Sequence, residues 1–279
     1  MNRIVATLGA LSRLSRRLGF EHAAHAARDA ADRPFVRAGR PPLAVEFDGL
    51  RLLGFLRHRS FLDGVTHTGS TYGELFEREV ARATTVVDAG AHVGLYTLLA
   101  ARANSKARVL AFEPDPYNRR ALVYNVQRLG AENVAVLGKA LTDRVGRASF
   151  YPSRTTIGSS LMCRDARDVE IDVETTTLDA ELDGAVPGSL VVRLNIEGAE
   201  PLALDGMRET LAATGDVTLF AEIHPQLQRD PAAFVARLRE LGFEVGWIDR
   251  ERRTVEPLDP AAPPRKGHIL ARRDPSASR

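Results

Sequence analysis

The chain has 279 residues, of which 44% are hydrophobic and 27% charged, and its formal net charge is +2. This composition excludes a chain that is disordered throughout, and the length allows one domain with an extension or two small domains. The narrow excess of Lys and Arg gives no reason to expect a nucleic-acid partner.

The first twenty residues carry a helical pattern. Apolar residues recur at helical spacing between Ile4 and Leu18, and arginines occupy much of the other face. The pattern predicts an amphipathic helix that packs on the core or on a second copy of the chain in a homodimer. A basic helix resting on an anionic membrane surface is the second interpretation. Arginines interrupt the apolar run early, which argues against a signal peptide.

A hairpin is predicted next. Residues 43–56, LAVEFDGLRLLGFL, indicate two short strands around an Asp-Gly turn. We therefore predict that residues 1–75 form a helical and hairpin extension, acting as a substrate lid or an oligomer contact. Residues 76–273 would form the main domain, and residues 274–279 a flexible tail.

From residue 84 the pattern alternates between strands and helices. Stretches such as TVVDAG, RVLAFEPD, LVVRL and VTLFAEI are short and apolar, and helical stretches such as VGLYTLLAARA and EPLALDGMRETLAATG separate them. RASFY and VEIDVETTTLD predict antiparallel additions, and FEVGWID and GHILARR predict closing strands. The pattern is typical of an α/β fold whose mostly parallel sheet is covered by helices on both faces.

Two further features bear on the compartment. Cys163 is the single cysteine, so no intrachain disulfide can form, and no motif around it indicates a nucleophile. No apolar run reaches the roughly 18 residues of a transmembrane segment. We expect a cytoplasmic protein.

The stretch VVDAGAHVG at residues 86–94 follows the first strand of the alternating region, where open α/β sheets bind ligands. Gly90 and Gly94 are four apart, and His92 replaces the middle glycine of the dinucleotide fingerprint G-x-G-x-x-G. Asp88 would repel a pyrophosphate but favours a cation. S-adenosylmethionine carries an ammonium, a sulfonium and no phosphate, so it fits better than a nicotinamide dinucleotide.

A second acid supports a nucleoside ligand. Glu113, in FEPD, follows the next strand about 20 residues beyond the turn, where a carboxylate accepts hydrogen bonds from ribose hydroxyls. Nicotinamide cofactors share this feature, so Glu113 alone does not choose between the two ligands.

Together these blocks resemble the FkbM-type methyltransferases, a family of class I S-adenosylmethionine-dependent enzymes. The resemblance is carried, in the family's order, by VVDAGAHVGLYTLLAA, VLAFEPDPYN, GKALTDRVG, TTLD, VVRLNIEGAE and LFAEIHP. It implies a seven-stranded Rossmann-like sheet and methyl transfer, most often to a hydroxyl of a small molecule, sugar or natural product.

The resemblance also assigns cofactor residues by position. Cofactor contacts are expected for Asp88, Gly90, His92, Gly94, Glu113, Asn118, Ala140 and Asn195, with Leu141 bordering the adenine. The family's fourth-strand motif usually reads K-I-D-V-E-G-A-E, whereas this chain has RLNIEGAE with Asn195 in place of Asp. Asn offers a carbonyl oxygen but neither a charge nor a base. A Mg²⁺ site at Asn195 and Glu222 is therefore doubtful.

Candidates for chemistry cluster at the same predicted sheet edge. His224 follows the strand VTLFAEI and titrates near working pH, so it is the leading candidate for a general base. Glu197 and Glu222 are the other catalytic candidates. Residues proposed to contact substrate are Tyr72, Glu74, Ser160 and Glu200, and Ser159 lies on the same predicted substrate-facing loop as Ser160. Glu200 has a second interpretation as a helix N-terminal acid.

The sequence thus predicts an S-adenosylmethionine-dependent O-methyltransferase acting on a small hydroxylated acceptor or a sugar. Two alternatives stay open. One is a nicotinamide-dependent oxidoreductase, against which the glycine spacing argues. The other is a non-catalytic binding module that keeps the fold.

Overall fold

The computed structural model describes residues 21–65, 71–153, 159–161, 170–228, 230–258 and 266–274. The predicted helix at residues 4–18, Cys163 and residues 275–279 of the predicted tail lie outside these ranges. The helices are α1 (Glu21–Ala38), a 3₁₀ helix (Leu56–His58), α2 (Arg59–Val65), α3 (Thr71–Val80), α4 (Leu95–Ala103), α5 (Pro116–Leu129), α6 (Leu178–Leu182), α7 (Glu200–Asp205), α8 (Arg208–Ala213) and α9 (Pro231–Glu240). The strands are β1 (Leu43–Phe47), β2 (Leu50–Gly54), β3 (Thr85–Ala89), β4 (Arg108–Phe112), β5 (Val134–Leu137), β6 (Ala140–Leu141), β7 (Gly146–Phe150), β8 (Ile171–Thr176), β9 (Ser189–Leu194), β10 (Asp216–Ile223), β11 (Glu244–Asp249), β12 (Thr254–Pro257) and β13 (Gly267–Arg273).

Among the described residues, eight strands form the central sheet in the order β12-β11-β13-β10-β9-β3-β4-β5. The strands from β10 to β5 are parallel, whereas β13 runs antiparallel to both β10 and β11. Side chains of β3 alternate between two apolar clusters, one shared with α7, α8 and α9 and the other with α3 and α4. The predicted α/β fold with helices on both faces is confirmed. The short edge strand β12 adds an eighth strand that the sequence did not predict.

The functional edge of this sheet is set by three neighbouring strands. β3 lies between β4 and β9, and Asp88 is in register with Ala111 on one side and Arg193 on the other. Because the three strands are parallel, their carboxyl ends meet at one edge. The turns VVDAGAHVG, FEPD and NIEG therefore lie side by side, as the sequence predicts.

The described part of the extension packs on the main domain. β1 and β2 form the predicted hairpin, and Asp48 and Gly49 adopt φ values of 48° and 72°, as a type I′ turn requires. Side chains of β2 and α2 share one apolar cluster with α4 and α5, including Leu52, Leu62, Leu98 and Leu122. Within the described ranges, no helix combines the length and apolar character that crossing a bilayer requires.

Helix α3 runs across the boundary that we predict after residue 75. Tyr72, Phe76 and Val80 are buried in one cluster beneath the central sheet. The main domain therefore gains its first helix from residues that the sequence pattern assigns to the extension.

Two segments differ from their predicted form or partner. The stretch after residue 199 forms two short helices, α7 and α8, instead of one. A Cβ at Gly206 would lie 1.9 Å from the carbonyl oxygen of Thr142, so close packing fixes the break. Asp179 caps the second helix by accepting the Thr210 N–H at 2.8 Å.

The predicted antiparallel additions β7 and β8 pair in a separate sheet with β6.

Candidate functional site

A cleft of about 860 Å³, counting the space at its open mouth, lies at the carboxyl ends of β3, β4 and β9. The predicted site residues that line the cleft are Gly90, His92, Glu113, Asn118, Ala140, Asn195 and Glu197, together with Leu141. The structure therefore brings most of the predicted cofactor residues into one cavity.

Asp88 lies beneath the cleft and does not line it. Its carboxylate is fully buried, accepts a hydrogen bond from Thr97 Oγ1 at 2.6 Å, and pairs with Arg193 Nη1 at 2.8 Å. Arg193 is itself buried, and a buried guanidinium needs such a partner. This corrects the expectation that the Asp88 carboxylate faces a cationic ligand, because Arg193 neutralises that charge. Asp88 therefore influences the site through Arg193, whose side chain lines the cleft.

The two glycines of the turn serve the protein's own packing. Gly90 adopts φ +80°, and a Cβ there would lie 2.1 Å from the carbonyl oxygen of Asn195. Gly94 adopts φ +99° and precedes α4, and a Cβ there would lie 2.7 Å from Leu122 Cδ1. Both positions therefore need glycine for strand and helix packing, and only Gly90 also lines the cleft.

His92 forms part of the cleft wall. Its backbone is left-handed, with φ 56°, an unusual conformation for a side chain other than glycine. Its ring centroid lies 4.4 Å from that of Phe61, which comes from α2 and also lines the cleft. Phe61 is a site residue that no sequence pattern indicated.

Glu113 is the best-defined polar group of the cleft. It is 4% exposed, and its two carboxyl oxygens accept the His92 N–H at 2.7 Å and the Asp115 N–H at 2.9 Å. The side chain of Asn118 is a third donor. Burial raises the pKa of Glu113 to about 8, and nearby Asp115 raises it as well, against these three hydrogen bonds.

We expect the affinity for S-adenosylhomocysteine to rise with pH and to level off above about 8, the pKa of Glu113. An ionised carboxylate has about four acceptor positions, and three of them are used by donors of the protein. Protonation of the carboxyl therefore competes with a ribose hydroxyl for the remaining acceptor position. Binding at neutral pH should therefore release a proton. Calorimetric titrations in two buffers of different ionisation enthalpy measure that proton, and Glu113→Gln is the control for titration of the ligand itself. Equal proton release in both proteins would contradict this assignment.

Asn195 bridges two charged side chains at the cleft floor. With its amide oriented by these neighbours, the nitrogen donates to Glu222 Oε2 at 2.9 Å and the oxygen accepts from Arg193 Nη2 at 3.0 Å. An aspartate here would place a second carboxylate against Glu222. The departure from the family's motif at Asn195 therefore has a local physical reason.

Glu222 and Glu197 are the acids of this region. Burial raises the pKa of the Glu222 carboxyl, and the neighbouring Glu197 raises it further. Glu197 lines the cleft in a left-handed conformation with φ 55°. Its carbonyl oxygen accepts a hydrogen bond from Ser160 Oγ at 2.8 Å. Ser160 is buried and does not line the cleft, which contradicts its predicted substrate contact, whereas its predicted neighbour Ser159 does line the cleft.

The structure also corrects the prediction for Glu200. This side chain is 1% exposed, and its carboxylate accepts the backbone N–H groups of Ile196 at 3.1 Å and Gly198 at 2.9 Å. Gln228 Nε2 donates to it at 2.9 Å. Glu200 therefore holds the turn after β9 at the start of α7, which favours its second interpretation as a helix N-terminal acid.

Tyr72 and Glu74 do not close over the cleft. Tyr72 is 2% exposed, and its ring packs 5.3 Å from that of Phe220 and 4.8 Å from that of His268. Glu74 is on the surface, paired with Arg253. Burial of Tyr72 in the core contradicts its predicted substrate role, and the ion pair turns Glu74 toward a different surface.

His224 does not line the cleft. It is half-buried at the end of β10, and its carbonyl oxygen accepts the N–H groups of Leu227 at 2.8 Å and Gln228 at 3.0 Å. These bonds form the loop after the strand. His224 therefore shapes that loop, while Glu222 contacts a cleft residue through Asn195.

The donor set does not fit the suggested magnesium site. Among the residues that the structure describes, no three His, Cys, Asp or Glu side chains converge as metal ligands. The oxygen of Asn195 faces Arg193, and its nitrogen faces Glu222. In this orientation the two side chains bind each other and not a shared cation.

Comparison with known proteins identifies relatives in both sequence and fold. The chain is 30% identical over 212 residues to the AMB antimetabolite synthetase AmbE of Pseudomonas aeruginosa, covering 72% of this chain and 9% of that protein. It is 27% identical over 165 residues to the hexuronic acid methyltransferase AglP of Haloferax volcanii, covering 59% of this chain and 66% of that one. The chain thus matches less than two thirds of the length of either relative.

Solved structures with a similar arrangement include two methyltransferases. An S-adenosylmethionine-dependent O-methyltransferase from Thermotoga maritima aligns with a TM-score of 0.41 at 14% identity, covering 84% of this chain and 78% of that one. A precorrin-6y C5,15-methyltransferase from Geobacter metallireducens aligns with a TM-score of 0.41 at 13% identity, covering 72% and 87%.

The family assignment rests on the sequence match. The model of the methyltransferase FkbM domain matches residues 88–245, which is more than half of the chain. The matched region includes the turn after β3, Glu113, and the ends of β9 and β10. It is a methyltransferase family, which argues against the nicotinamide oxidoreductase alternative. The chain belongs to the FkbM methyltransferase family.

Proposed function

We propose that the protein transfers a methyl group from S-adenosylmethionine to a hydroxyl of a small molecule or sugar. The buried carboxyl of Glu113 carries the cofactor part of this proposal. It lies in the cleft at the carboxyl end of β4, held by two backbone N–H groups, where a ribose would donate to it.

The residues of the cleft fit an uncharged nucleoside better than a phosphate. Ala91, Leu95 and Phe112 supply apolar surface, and Leu141 lies at the predicted adenine position. The Glu113 carboxyl offers acceptor oxygens, which suit the donor hydroxyls of a ribose and not the acceptor oxygens of a phosphate. When bound, S-adenosylmethionine supplies a methyl group on a sulfonium sulfur, ready for in-line displacement.

The chain must align the acceptor, exclude water and take up a proton. As the acceptor oxygen bonds to the methyl carbon, the carbon–sulfur bond breaks with its electron pair on sulfur, and the hydroxyl proton moves to a base. Glu222 supports this last role because burial raises the pKa of its carboxyl, which makes the carboxylate a stronger base than an exposed one. Glu222 is half-buried and touches the cleft through Asn195, which donates to one of its oxygens, so this role requires the acceptor to bind on the side of the cleft next to Asn195. His224 is the second candidate.

The name of one relative and the charges around Glu222 support the proposed acceptor class. AglP is named as a hexuronic acid methyltransferase. In this chain Lys266, Arg193 and Arg250 are close enough to oppose the raised pKa of Glu222. Cations near the proposed base are compatible with an acceptor that carries both hydroxyls and a carboxylate.

Transfer of an isotopically labelled methyl group from S-adenosylmethionine to a panel of acceptors tests the proposal. The panel contains uronic acids, neutral sugars, simple alcohols, amines and carboxylic acids without hydroxyls. We expect a labelled ether on a hydroxylated acceptor, located by NMR, and none with Glu113→Ala. Labelling of nitrogen or of a carboxylate would contradict O-methylation while keeping methyl transfer. Absence of S-adenosylhomocysteine binding would contradict the cofactor.

A further inference from the structure

The N-terminal extension reaches the cofactor side of the cleft. Phe61, on α2, lines the cavity, and its ring packs against His92 at a centroid distance of 4.4 Å. The residues that match the family model begin at residue 88. One wall of the cleft is therefore built by residues outside the matched domain.

His58 connects this extension to the cleft by hydrogen bonds. Its side chain is fully buried, its Nδ1 accepts the Phe55 N–H at 2.9 Å, and its Nε2 lies 3.0 Å from Asn118 Oδ1. Because the Phe55 N–H can only donate, Nδ1 must be the acceptor, so the proton sits on Nε2 and is donated to Asn118. Burial lowers the pKa of His58 to about 3, which keeps the ring neutral.

The hydrogen bond from His58 fixes the orientation of the Asn118 amide next to Glu113. Asn118 is 1% exposed, lines the cleft, and uses its oxygen to accept from His58. Its nitrogen is then turned toward Glu113, to which the Asn118 side chain donates. If His58 were removed, the amide could rotate and this donor would no longer be fixed.

The 3₁₀ helix that carries His58 is itself anchored. Asp32, on α1, is 1% exposed and accepts the N–H groups of Leu56 at 2.8 Å and Arg57 at 3.1 Å. The Tyr117 hydroxyl, at the start of α5, also donates to Asp32. The extension and the helix after FEPD are therefore joined at two points, Asp32–Tyr117 and His58–Asn118.

We propose that residues 55–61 of the extension are part of the cofactor site. His58 is a positioning residue that fixes Asn118 and, through it, the Glu113 carboxylate, and Phe61 is a contact residue on the wall beside His92. This inference rests on the proposed cofactor and adds residues that the matched domain does not contain.

Two substitutions of His58 separate its two hydrogen bonds. His58→Asn keeps an oxygen near the Nδ1 position for the Phe55 N–H but cannot reach Asn118. His58→Gln places an amide N–H near the Nε2 position and restores the donor. Calorimetric titration with S-adenosylhomocysteine is expected to show about tenfold weaker binding for His58→Asn at neutral pH and near-wild-type binding for His58→Gln.

The pH dependence distinguishes positioning from a general loss of structure. In His58→Asn the pH at which affinity is half-maximal should move above the wild-type value of about 8, because Glu113 loses a donor to its charged form. In a Glu113→Gln background, His58→Asn should add little, since the group it positions no longer titrates. Additive losses and an unchanged midpoint would overturn the positioning role.

Phe61 gives a test that leaves the hydrogen-bond chain intact. Phe61→Ala should weaken binding of S-adenosylhomocysteine several-fold, and Phe61→Leu, which keeps apolar bulk, should weaken it less. Wild-type protein that binds no S-adenosylhomocysteine would contradict the cofactor proposal. Binding by wild type with equal affinity in His58→Asn and Phe61→Ala would contradict this inference alone.

Discussion

Replacing Glu113 by Ala should weaken the binding of S-adenosylhomocysteine by about 100-fold. Hydrogen bonds to charged groups are each worth about 1.5–3 kcal/mol, and the variant loses the bonds from the ribose hydroxyls to the carboxylate. It also leaves the N–H groups of His92 and Asp115 without their acceptor, which loosens the turn beside the ligand. Calorimetric titration of wild type and variant measures the loss.

Two controls define what a loss of binding means. Glu113→Gln keeps the shape and one carbonyl acceptor, so it should lie between wild type and Glu113→Ala. Glu132→Gln removes an exposed acid in the turn after α5 and should bind like wild type. Wild-type affinity in Glu113→Ala would show that the ribose does not lie on this carboxyl.

Unfolding does not account for a loss of binding in Glu113→Gln. The folded-state pKa of Glu113, about 8, is above the ordinary glutamate pKa of 4.5, so the folded protein holds this proton more tightly than the unfolded chain. The stability that the protonated carboxyl contributes is present below the unfolded value and is lost as the pH rises through about 8. The neutral glutamine should therefore leave the thermal midpoint unchanged or raise it at alkaline pH.

The sequence predicted the sheet well because its strands are short apolar runs between helices. In β3, every residue of Thr85–Ala89 is buried, and such strands are distinctive in a parallel sheet. The strand β12 escaped prediction because its TVEP sequence lies largely exposed at the edge. The break between α7 and α8 was not predicted because it depends on the carbonyl of Thr142, which is distant in sequence and is not encoded by any local pattern.

At the site, the sequence identified most of the residues near the cleft but not the partners that they contact. Glu113 is at the cleft, whereas Asp88 is turned toward Arg193. The signal that could have corrected this is Arg193 itself, a charged residue inside the apolar strand LVVRL that requires a buried partner. No local signal placed Tyr72 in the core or Phe61 in the cleft, since both depend on how the extension packs.

The proposed division of roles between Glu222 and His224 leads to the second large effect. Glu222→Gln should lower kcat by about 100-fold or more with an accepted substrate, because the side chain can no longer take up a proton. Its affinity for S-adenosylhomocysteine should stay at the wild-type value, since Glu222 is outside the cleft lining. Steady-state kinetics and calorimetric titration on the same preparation measure the two quantities.

His224→Ala is the matched comparison at the end of the same strand. If Glu222 is the base, this variant should lose much less kcat than Glu222→Gln, because His224 shapes the loop through its backbone carbonyl. The reverse order would assign the proton transfer to His224. Equal, small losses of kcat in both variants would show that the base does not lie at this edge of the sheet.

Asn195→Asp tests the electrostatic part of the same argument. The substitution replaces a donor to Glu222 by a second carboxylate, and like charges at hydrogen-bond distance disfavour ionisation of both. The pKa of Glu222, already raised by burial and by Glu197, should rise further. The acidic limb of the pH profile of kcat should then move to higher pH, because a base works only above its pKa. A limb that stays in place would show that another group controls it, and Asn195 would then act on Arg193 alone.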